Sequence, residues 1–216
     1  MTTMATETER RRGFRTFVTA IITVCADETG ARSALRGGLR KPYDALPAGT
    51  HKYVTKAGAP ADPGERRPEQ VHAYYTVAAL IAMIPKRMLP KLPIVVEPGQ
   101  RWGRNLGQCL AEAVLNGAVS LGSGETTLAT LAKQSTGGVH RRLPGVISQI
   151  AVDPDAVDWV QLLADLESWP TNRGAVVRRW QQSFFHTLNR AERDAAKKAM
   201  DTGASASSAG PNTAAG

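Results

Sequence analysis

The chain has 216 residues, which is enough for one large domain or two small ones with a proper hydrophobic core. Its 27 Lys and Arg residues outnumber its 19 Asp and Glu residues, and the formal net charge of +8 favours an anionic partner. The longest strongly apolar runs, residues 17–25 and 77–84, fall far short of the roughly 20 residues of a membrane span, and no signal peptide is recognisable, so we expect a cytoplasmic protein without a membrane segment.

Two helices are predicted ahead of residue 40. Apolar residues at helical spacing predict the first over residues 11–25, after a polar stretch that we expect to fray. Asp27 is expected to cap the second helix, which begins near Glu28. The glycine pair at residues 37–38 is expected to end it, because glycine is unfavourable inside a helix.

A long connection is predicted over residues 44–67, which contain three prolines, three glycines and four basic residues. We expect an irregular basic loop there. Pro68 then begins a central helix that is apolar nearly all round as far as Ile84. Four prolines between residues 85 and 98 break the chain, and we place a domain boundary among them.

Three more helical segments are predicted after this boundary. An apolar stripe that starts at Trp102 predicts a helix ending at residues 116–117, an Asn-Gly pair. Ser123 is expected to cap a short helix. A further segment reaches Ala151 and is expected to be interrupted at residues 144–145, a Pro-Gly pair.

Residues typical of helix starts and ends also mark the last two predicted helices. Asp153 and Pro154 form a strong start signal, and Trp169 with Pro170 is expected to stop that helix. Thr171 is expected to cap the final helix.

These patterns predict an all-α protein built as two helical bundles, over residues 10–98 and 99–198. Residues 94–96 are the one candidate strand, and prolines flank them. Residues 199–216 are rich in Ala, Ser and Gly, so we expect a disordered tail. The two cysteines, Cys25 and Cys109, fall in apolar helical patterns typical of inert buried thiols, without a disulfide framework.

No local signature of a catalytic centre, cofactor site or metal site is present. Residues 122–127 faintly resemble a phosphate loop, but they lack its lysine and a preceding strand, and helix capping is favoured. The four histidines have no metal-ligand spacing, and we interpret them as structural or surface residues: His51, His72, His140 and His186.

A cluster of carboxylates raises the alternative of a divalent-metal nuclease: Asp153, Asp155, Asp158 and Asp165. We instead assign Asp153 to a helix cap. Asp158 and Asp165 fit the polar side of an amphipathic helix.

The positive charge is concentrated in residues 1–150, which hold 20 basic and 11 acidic residues, whereas residues 151–198 hold seven of each. Arg32, Arg36 and Arg40 are spaced by four, so one helix face would carry them over about 12 Å, unless the glycine pair at residues 37–38 leaves Arg40 outside the helix. Lys41 keeps the charge dense at their end. The other candidates for nucleic-acid contact are Arg101, Arg104, Lys133, Arg141 and Arg142. Because no base-reading motif is present, contact to phosphates is the simplest interpretation.

Several segments resemble motifs of the CasB family, the small subunits of the type I-E Cascade, a CRISPR RNA-guided surveillance complex. Residues 30–36 resemble the family's GARAxLRR-like element, and residues 103–107 resemble its FGxxLxxL element. Residues 157–166 with Trp169 resemble the more specific DWxxLLxDLxxW signature. A basic-aromatic helix like that at residues 177–185 follows it in the family.

The resemblance implies an all-helical subunit without catalytic residues, since a recruited helicase-nuclease does the cutting. It also implies partners: the backbone subunits that hold the guide RNA, the large subunit, and a second copy of the chain. Basic surfaces of the pair would hold the target DNA in its heteroduplex with the guide RNA, and the displaced single strand, so that the R-loop persists.

Matched residue by residue, Arg32 and Arg36 correspond to the family's basic N-terminal element, and Arg141 and Arg142 roughly to a later basic helix. The resemblance also implies structural roles, in which Trp159 and Trp169 anchor a bundle. Asp158 and Asp165 would cap a helix or pair with arginines such as Arg178 or Arg179. The main alternative is a helical scaffold that contacts only protein partners through its basic face.

Overall fold

The structure is a computed structural model, and it describes residues 2–60, 66–92, 104–150 and 157–207. Within these ranges the chain forms eight α-helices, two 3-10 helices and no strand, which confirms the all-α prediction. The α-helices are α1 (Thr2–Asp27), α2 (Ala31–Arg36), α3 (Ala48–Lys56), α4 (Pro68–Met83), α5 (Leu106–Leu115), α6 (Leu121–Ala132), α7 (Thr136–Ile150) and α8 (Trp159–Ser207). The 3-10 helices are Tyr43–Ala45 and Lys86–Lys91. The candidate strand at residues 94–96 lies outside the described residues.

Helix α4 is the centre of the fold, as its all-round apolar pattern predicts. Every residue from 71 to 82 is buried. Helices α1, α2, α3, α7 and α8 pack against α4, so elements from both sides of the predicted domain boundary share one core. The division into two bundles stays a prediction. None of the described helices is both long and apolar enough to cross a membrane.

The first two helices differ from the prediction at their ends. Helix α1 begins at Thr2 and runs to Asp27, so Asp27 is its last residue and does not cap α2. The expected cap was wrong, because Gly30, in the left-handed conformation at φ 84°, turns the chain into α2 instead. The end of α2 at the glycine pair is confirmed, with Gly37 as its C-cap.

The predicted irregular loop over residues 44–67 was wrong for much of its length. It contains the second half of a 3-10 helix and then α3, which begins directly after Pro47. Thr50, Tyr53 and Val54 of α3 are buried. Their spacing is helical, and Pro47 fixes a backbone conformation that suits the start of a helix. Proline therefore begins an element here and does not mark a loop. Residues 61–65 lie outside the described residues.

Caps position α5 and α6. The Asn105 side chain accepts the Gln108 backbone N–H at 3.2 Å and caps α5, which ends at Asn116 and left-handed Gly117 as predicted. Helix α6 is capped by Ser120 and not by Ser123. The Ser120 hydroxyl accepts the Ser123 backbone N–H at 3.3 Å, so Ser123 already belongs to the first turn.

Helix α7 runs through Pro144 without a break, so the predicted interruption was wrong. Proline lacks the N–H that would bond to the preceding turn, but the helix buries Val139, Leu143 and Ile147 along one face. This burial outweighs one missing backbone hydrogen bond. Ser148 donates its hydroxyl to the Pro144 carbonyl at 2.8 Å.

Helix α8 begins at Trp159, where the Asp158 side chain accepts the Gln161 backbone N–H at 2.8 Å. The expected start at Asp153 and Pro154 lies outside the described residues. The expected stop at Trp169 and Pro170 appears as a kink, since Asn172 leaves the helical conformation with φ −137° before the helix resumes. The helix continues to Ser207 and so includes the first residues of the tail predicted from residue 199, whose disorder stays a prediction.

Helices α5 and α8 cross at very close range. A Cβ added to Gly107 would lie 1.8 Å from the backbone carbonyl oxygen of Trp180, a distance that no side chain can occupy. Trp159, Trp169 and Trp180 are each 1% exposed, and they anchor this part of the core as expected for the first two.

The two cysteines are buried, as predicted. Burial raises the pKa of Cys25 to about 11 and that of Cys109 to about 12, so both stay protonated at neutral pH.

Candidate nucleic-acid interface

A groove brings together arginines that are distant in the sequence. It has a volume of about 430 Å³ and lies where α6 and α7 meet the segment that follows α2. Its polar lining consists of Arg40, Thr126, Thr127, Thr130, Arg141, Arg142 and Gln149, and its other lining residues are Leu131, Gly145 and Val146. We call this surface the basic groove.

Arg40 reaches the basic groove from a left-handed backbone conformation. Its φ is 61°, although it is not a glycine. This conformation costs an ordinary residue roughly 1–2 kcal/mol, so the surrounding contacts must hold it. The Lys41 backbone N–H donates to the Gly38 carbonyl at 3.3 Å and closes the turn around Arg40. The Arg40 side chain stays exposed.

Arg141 and Arg142 reach the basic groove from α7. The residues on either side of the pair, His140 and Leu143, are buried, whereas both arginines are exposed. The uninterrupted helix therefore fixes which way they point. Neither these two arginines nor Arg40 has an ion-pair partner among the described residues, and no carboxylate lines the groove.

The lining chemistry matches a phosphate. Guanidinium groups give charge-assisted hydrogen bonds to phosphate oxygens, and threonine hydroxyls and the Gln149 amide can add neutral donors. The lining has no aromatic ring on which a base could stack. The groove is thus suited to a sugar-phosphate chain and offers no ring for base stacking.

The row of Arg32, Arg36 and Arg40 predicted on one helix face does not form. Helix α2 ends at Arg36, so Arg40 lies outside it. The Arg32 guanidinium is partly buried and donates through Nη2 to the Ile84 carbonyl at 2.6 Å, which joins α2 to the end of α4. Arg36 is exposed, and its Nε donates to the Arg32 carbonyl at 3.3 Å. Arg32 and Arg36 do not line the basic groove.

The remaining predicted residues lie elsewhere. Arg104 forms an ion pair with Glu112 at 2.9 Å, which neutralises it locally. Lys133 is the exposed C-cap residue of α6, and Lys41 is exposed beside Arg40, but neither lines the groove. Arg101 lies outside the described residues. Contact of these residues with nucleic acid stays a prediction.

A second group of arginines is paired with buried carboxylates of α8. Asp165 is fully buried and accepts hydrogen bonds from Arg179, from Trp180 Nε1 at 2.6 Å and from Gln161 Nε2 at 2.8 Å. Burial raises the pKa of the Asp165 carboxyl, and the Arg179 charge opposes this rise. The placement of Asp165 on a polar helix face was wrong, but its expected pairing with Arg179 is confirmed.

Glu167 also carries a buried carboxylate, with its side chain 2% exposed. It pairs with Arg10 of α1 and, at 3.0 Å, with Arg66. We call Asp165, Glu167 and their three arginines the carboxylate cluster. In the part of the chain that the structure describes, no group of three or more His, Cys, Asp or Glu residues could hold a metal ion.

Sequence reasoning missed the polar side chains from α6. Thr126, Thr127 and Thr130 recur at helical spacing. The first two are also the last two residues of the segment that faintly resembles a phosphate loop. Their spacing alone placed them on one face of α6. The meeting of that face with α7 and Arg40 is a tertiary contact that no local pattern encodes.

Together, the fold and the basic groove define a small all-helical protein with a surface suited to a polyanion. The chain belongs to the family described as CRISPR-associated protein Cse2, which matches residues 31–185. No curated protein sequence gave a significant match.

Solved structures agree with this membership. A chain of a CRISPR RNA-guided surveillance complex, pre-nicking, is 30% identical with a TM-score of 0.71, and the match covers 86% of this chain and 98% of that one. A chain of another CRISPR RNA-guided surveillance complex is 28% identical with a TM-score of 0.68, covering 86% and 99%. CasB of M. ruber, at 23% identity, a TM-score of 0.59 and coverage of 82% and 97%, shares the fold.

Proposed function

We propose that the chain is a non-catalytic small subunit of a type I-E Cascade in the cytoplasm. Its partners are the backbone and large subunits, a second copy of itself, the guide RNA–target DNA heteroduplex and the displaced DNA strand. Membership of the Cse2 family supports this proposal, as do matches over nearly the whole length of two chains from CRISPR RNA-guided surveillance complexes.

The observation that carries the proposal is the basic groove, in which Arg40, Arg141 and Arg142 meet without a carboxylate. Such a groove attracts phosphates and ignores the base sequence, which suits a complex that must serve any guide. Exchange of a DNA duplex for an RNA–DNA heteroduplex is nearly balanced in free energy. A few phosphate contacts by this subunit are therefore enough to keep the R-loop open.

The test uses the assembled complex with the full chain. The groove variant carries Arg40→Gln, Arg141→Gln and Arg142→Gln. R-loops formed with this variant should dissociate faster than those formed with the wild type, and by a similar factor for guides of unrelated sequence. Because the three side chains are exposed, the variant should still assemble.

A matched control variant removes the same number of positive charges at positions outside the groove. The control variant carries Arg12→Gln, Arg15→Gln and Arg178→Gln, three exposed positions on α1 and α8. It should retain R-loops like the wild type. Equal R-loop lifetimes for the groove variant and the wild type would contradict the proposal.

A helical scaffold that contacts only proteins is the second candidate. Three large apolar side chains favour it, since Leu115, Leu121 and Phe185 are 47%, 49% and 47% exposed and could meet a partner subunit. For a pure scaffold the isolated chain would show no salt-dependent retention of single-stranded DNA, and both variants would behave alike.

A further inference from the structure

Two buried histidines lie between the segments that present the groove arginines. His72 of α4 is 6% exposed and His140 of α7 is 2% exposed. Their ring centroids are 4.3 Å apart, so the rings are in direct contact. The phosphate-contact proposal gives neither of them a role.

His72 holds the segment that carries Arg40. Its ring makes a polar contact with the backbone of Lys41, the residue directly after Arg40. Tyr43, two residues further on, packs against the same ring at 5.8 Å between centroids. The left-handed conformation of Arg40 needs such support, because the backbone alone does not favour it.

His140 holds the other side of the basic groove. Its Nδ1 hydrogen-bonds the Thr76 hydroxyl at 2.8 Å, which ties α7 to α4. Arg141 and Arg142 directly follow His140 in α7. One turn of α4, from His72 to Thr76, therefore contacts both segments that supply the groove arginines.

The pair also adds no charge beneath the groove. Burial lowers the pKa of His72, although the nearby Lys41 backbone and the Asp44 carboxylate oppose this. Burial and the neighbouring His72 lower the pKa of His140 to about 3. Both rings are thus neutral at neutral pH, which lets them pack in contact.

We propose that His72 and His140 are positioning residues for the basic groove: through their ring contact, the packing of Tyr43 on His72 and the Thr76 bond of His140, they set Arg40 opposite Arg141 and Arg142. The expected effect of these histidines on nucleic-acid binding rests on the proposed function. The geometric part, that His72 fixes the turn around Arg40, stands separately.

The first test is His72→Phe in the full chain, which keeps a ring but removes the polar contact with the Lys41 backbone. Hydrogen exchange in residues 38–46 should become faster by about tenfold, the order expected for the loss of one polar contact. Exchange in α8 should not change. His72→Gln keeps a donor and should exchange like the wild type in this segment.

The second test is a double-mutant cycle on binding of single-stranded DNA. His72→Phe and Arg40→Gln should each weaken binding, and the double variant should bind like Arg40→Gln alone, because His72 acts through Arg40. Additive losses, or unchanged exchange in residues 38–46, would overturn the inference. If His72→Phe does not fold, His140→Asn serves instead, since it removes the ring that contacts His72 and should also speed exchange there.

The two proposals fail in different ways. If the wild type shows no salt-dependent binding of DNA, the proposed function fails, and the exchange measurement still decides whether His72 positions the turn. If the wild type binds DNA but His72→Phe changes neither exchange nor affinity, the positioning inference alone fails.

Discussion

Arginines in two regions of this molecule have opposite environments. In the basic groove, Arg40, Arg141 and Arg142 are exposed and face no carboxylate. In the carboxylate cluster, arginines from α1, from the segment before α4 and from α8 are paired with Asp165 and Glu167, which are buried. The residue type is the same, and the position of the nearest carboxylate decides whether its charge is available to a partner.

The comparison explains why the charge distribution along the sequence was informative. Residues 151–198 have balanced charge, and the buried carboxylates of Asp165 and Glu167 need cationic partners because an unpaired buried charge is very costly. The surplus lies in residues 1–150, which include the three arginines of the basic groove. Net charge alone could not locate the positive charge that is available to a partner, since Arg10 and Arg66 of residues 1–150 form ion pairs with Glu167.

The largest effect is expected where α5 crosses α8, next to the carboxylate cluster. Gly107→Ala would place a Cβ 1.8 Å from the Trp180 carbonyl oxygen, and backbone cannot move aside as a side chain can. We expect a loss of about 5 kcal/mol or more in the free energy of unfolding, measured by urea denaturation. Gly122→Ala is the control: nothing lies within 4 Å of its added Cβ, and it should leave the stability unchanged or slightly higher.

The second-largest loss of stability is expected within the carboxylate cluster itself. Asp165→Ala would leave the Arg179 charge and the Trp180 N–H without their buried acceptor. We expect a loss of about 3–5 kcal/mol in unfolding free energy. The groove variant should cost almost nothing in the same denaturation experiment, since its side chains are exposed and unpaired. Similar losses for both variants would remove the distinction between the two regions.

Acid should have opposite effects on the stability contributed by His140, which precedes the groove arginines of α7, and by Asp165 of the carboxylate cluster. His140 stays neutral in the fold down to a pKa of about 3, whereas the unfolded chain takes up the proton near the ordinary value of 6.5. Its contribution to stability is therefore complete above pH 6.5 and is lost as the pH falls towards 3, by roughly 3 kcal/mol at pH 4. Asp165, with a raised pKa, binds its proton more readily in the fold, so acid favours the folded state at that site.

The variant His140→Asn isolates the histidine contribution. Its loss of stability between pH 7 and pH 4 should be smaller than that of the wild type, measured by thermal unfolding across that range. The exposed His186→Asn should follow the wild-type curve. Parallel curves for wild type and His140→Asn would show that the buried ring does not titrate as inferred.

The smallest effect is expected for the partly exposed pair of Arg104 and Glu112. Their side chains are 36% and 29% exposed, so solvent screens the pair. Arg104→Gln should lower the unfolding free energy by about 0.5 kcal/mol or less. It should weaken DNA binding less than Arg40→Gln does, because Glu112 partly offsets the charge of Arg104. A loss of affinity as large as that of Arg40→Gln would add Arg104 to the interface.

The fold class and the central helix could be predicted because both depend on local periodicity. Ten of the twelve buried residues of α4 are aliphatic or aromatic, all but His72 and Thr76, and glycine or proline marks several helix ends correctly. Helix α3 and the passage of α7 through Pro144 could not be predicted in this way, because burial against the rest of the fold outweighs a local breaker.

The residues of the candidate site could be proposed from the sequence, but their convergence could not. Arg40, Arg141 and Arg142 were among the candidates, and how they meet depends on how α6 and α7 pack. Arg32 and Arg104 were candidates too. The sequence does not reveal the Ile84 carbonyl or the Glu112 carboxylate that binds each of them.

The most direct test of the central claim is the salt dependence of binding of single-stranded DNA by the full chain. The logarithm of the affinity should fall linearly with the logarithm of salt concentration, and each groove arginine should contribute about 0.7 to the slope. The groove variant should therefore bind more weakly with a slope smaller by about 2, while the control variant keeps the wild-type slope. Equal slopes for the groove variant and the wild type would contradict the account.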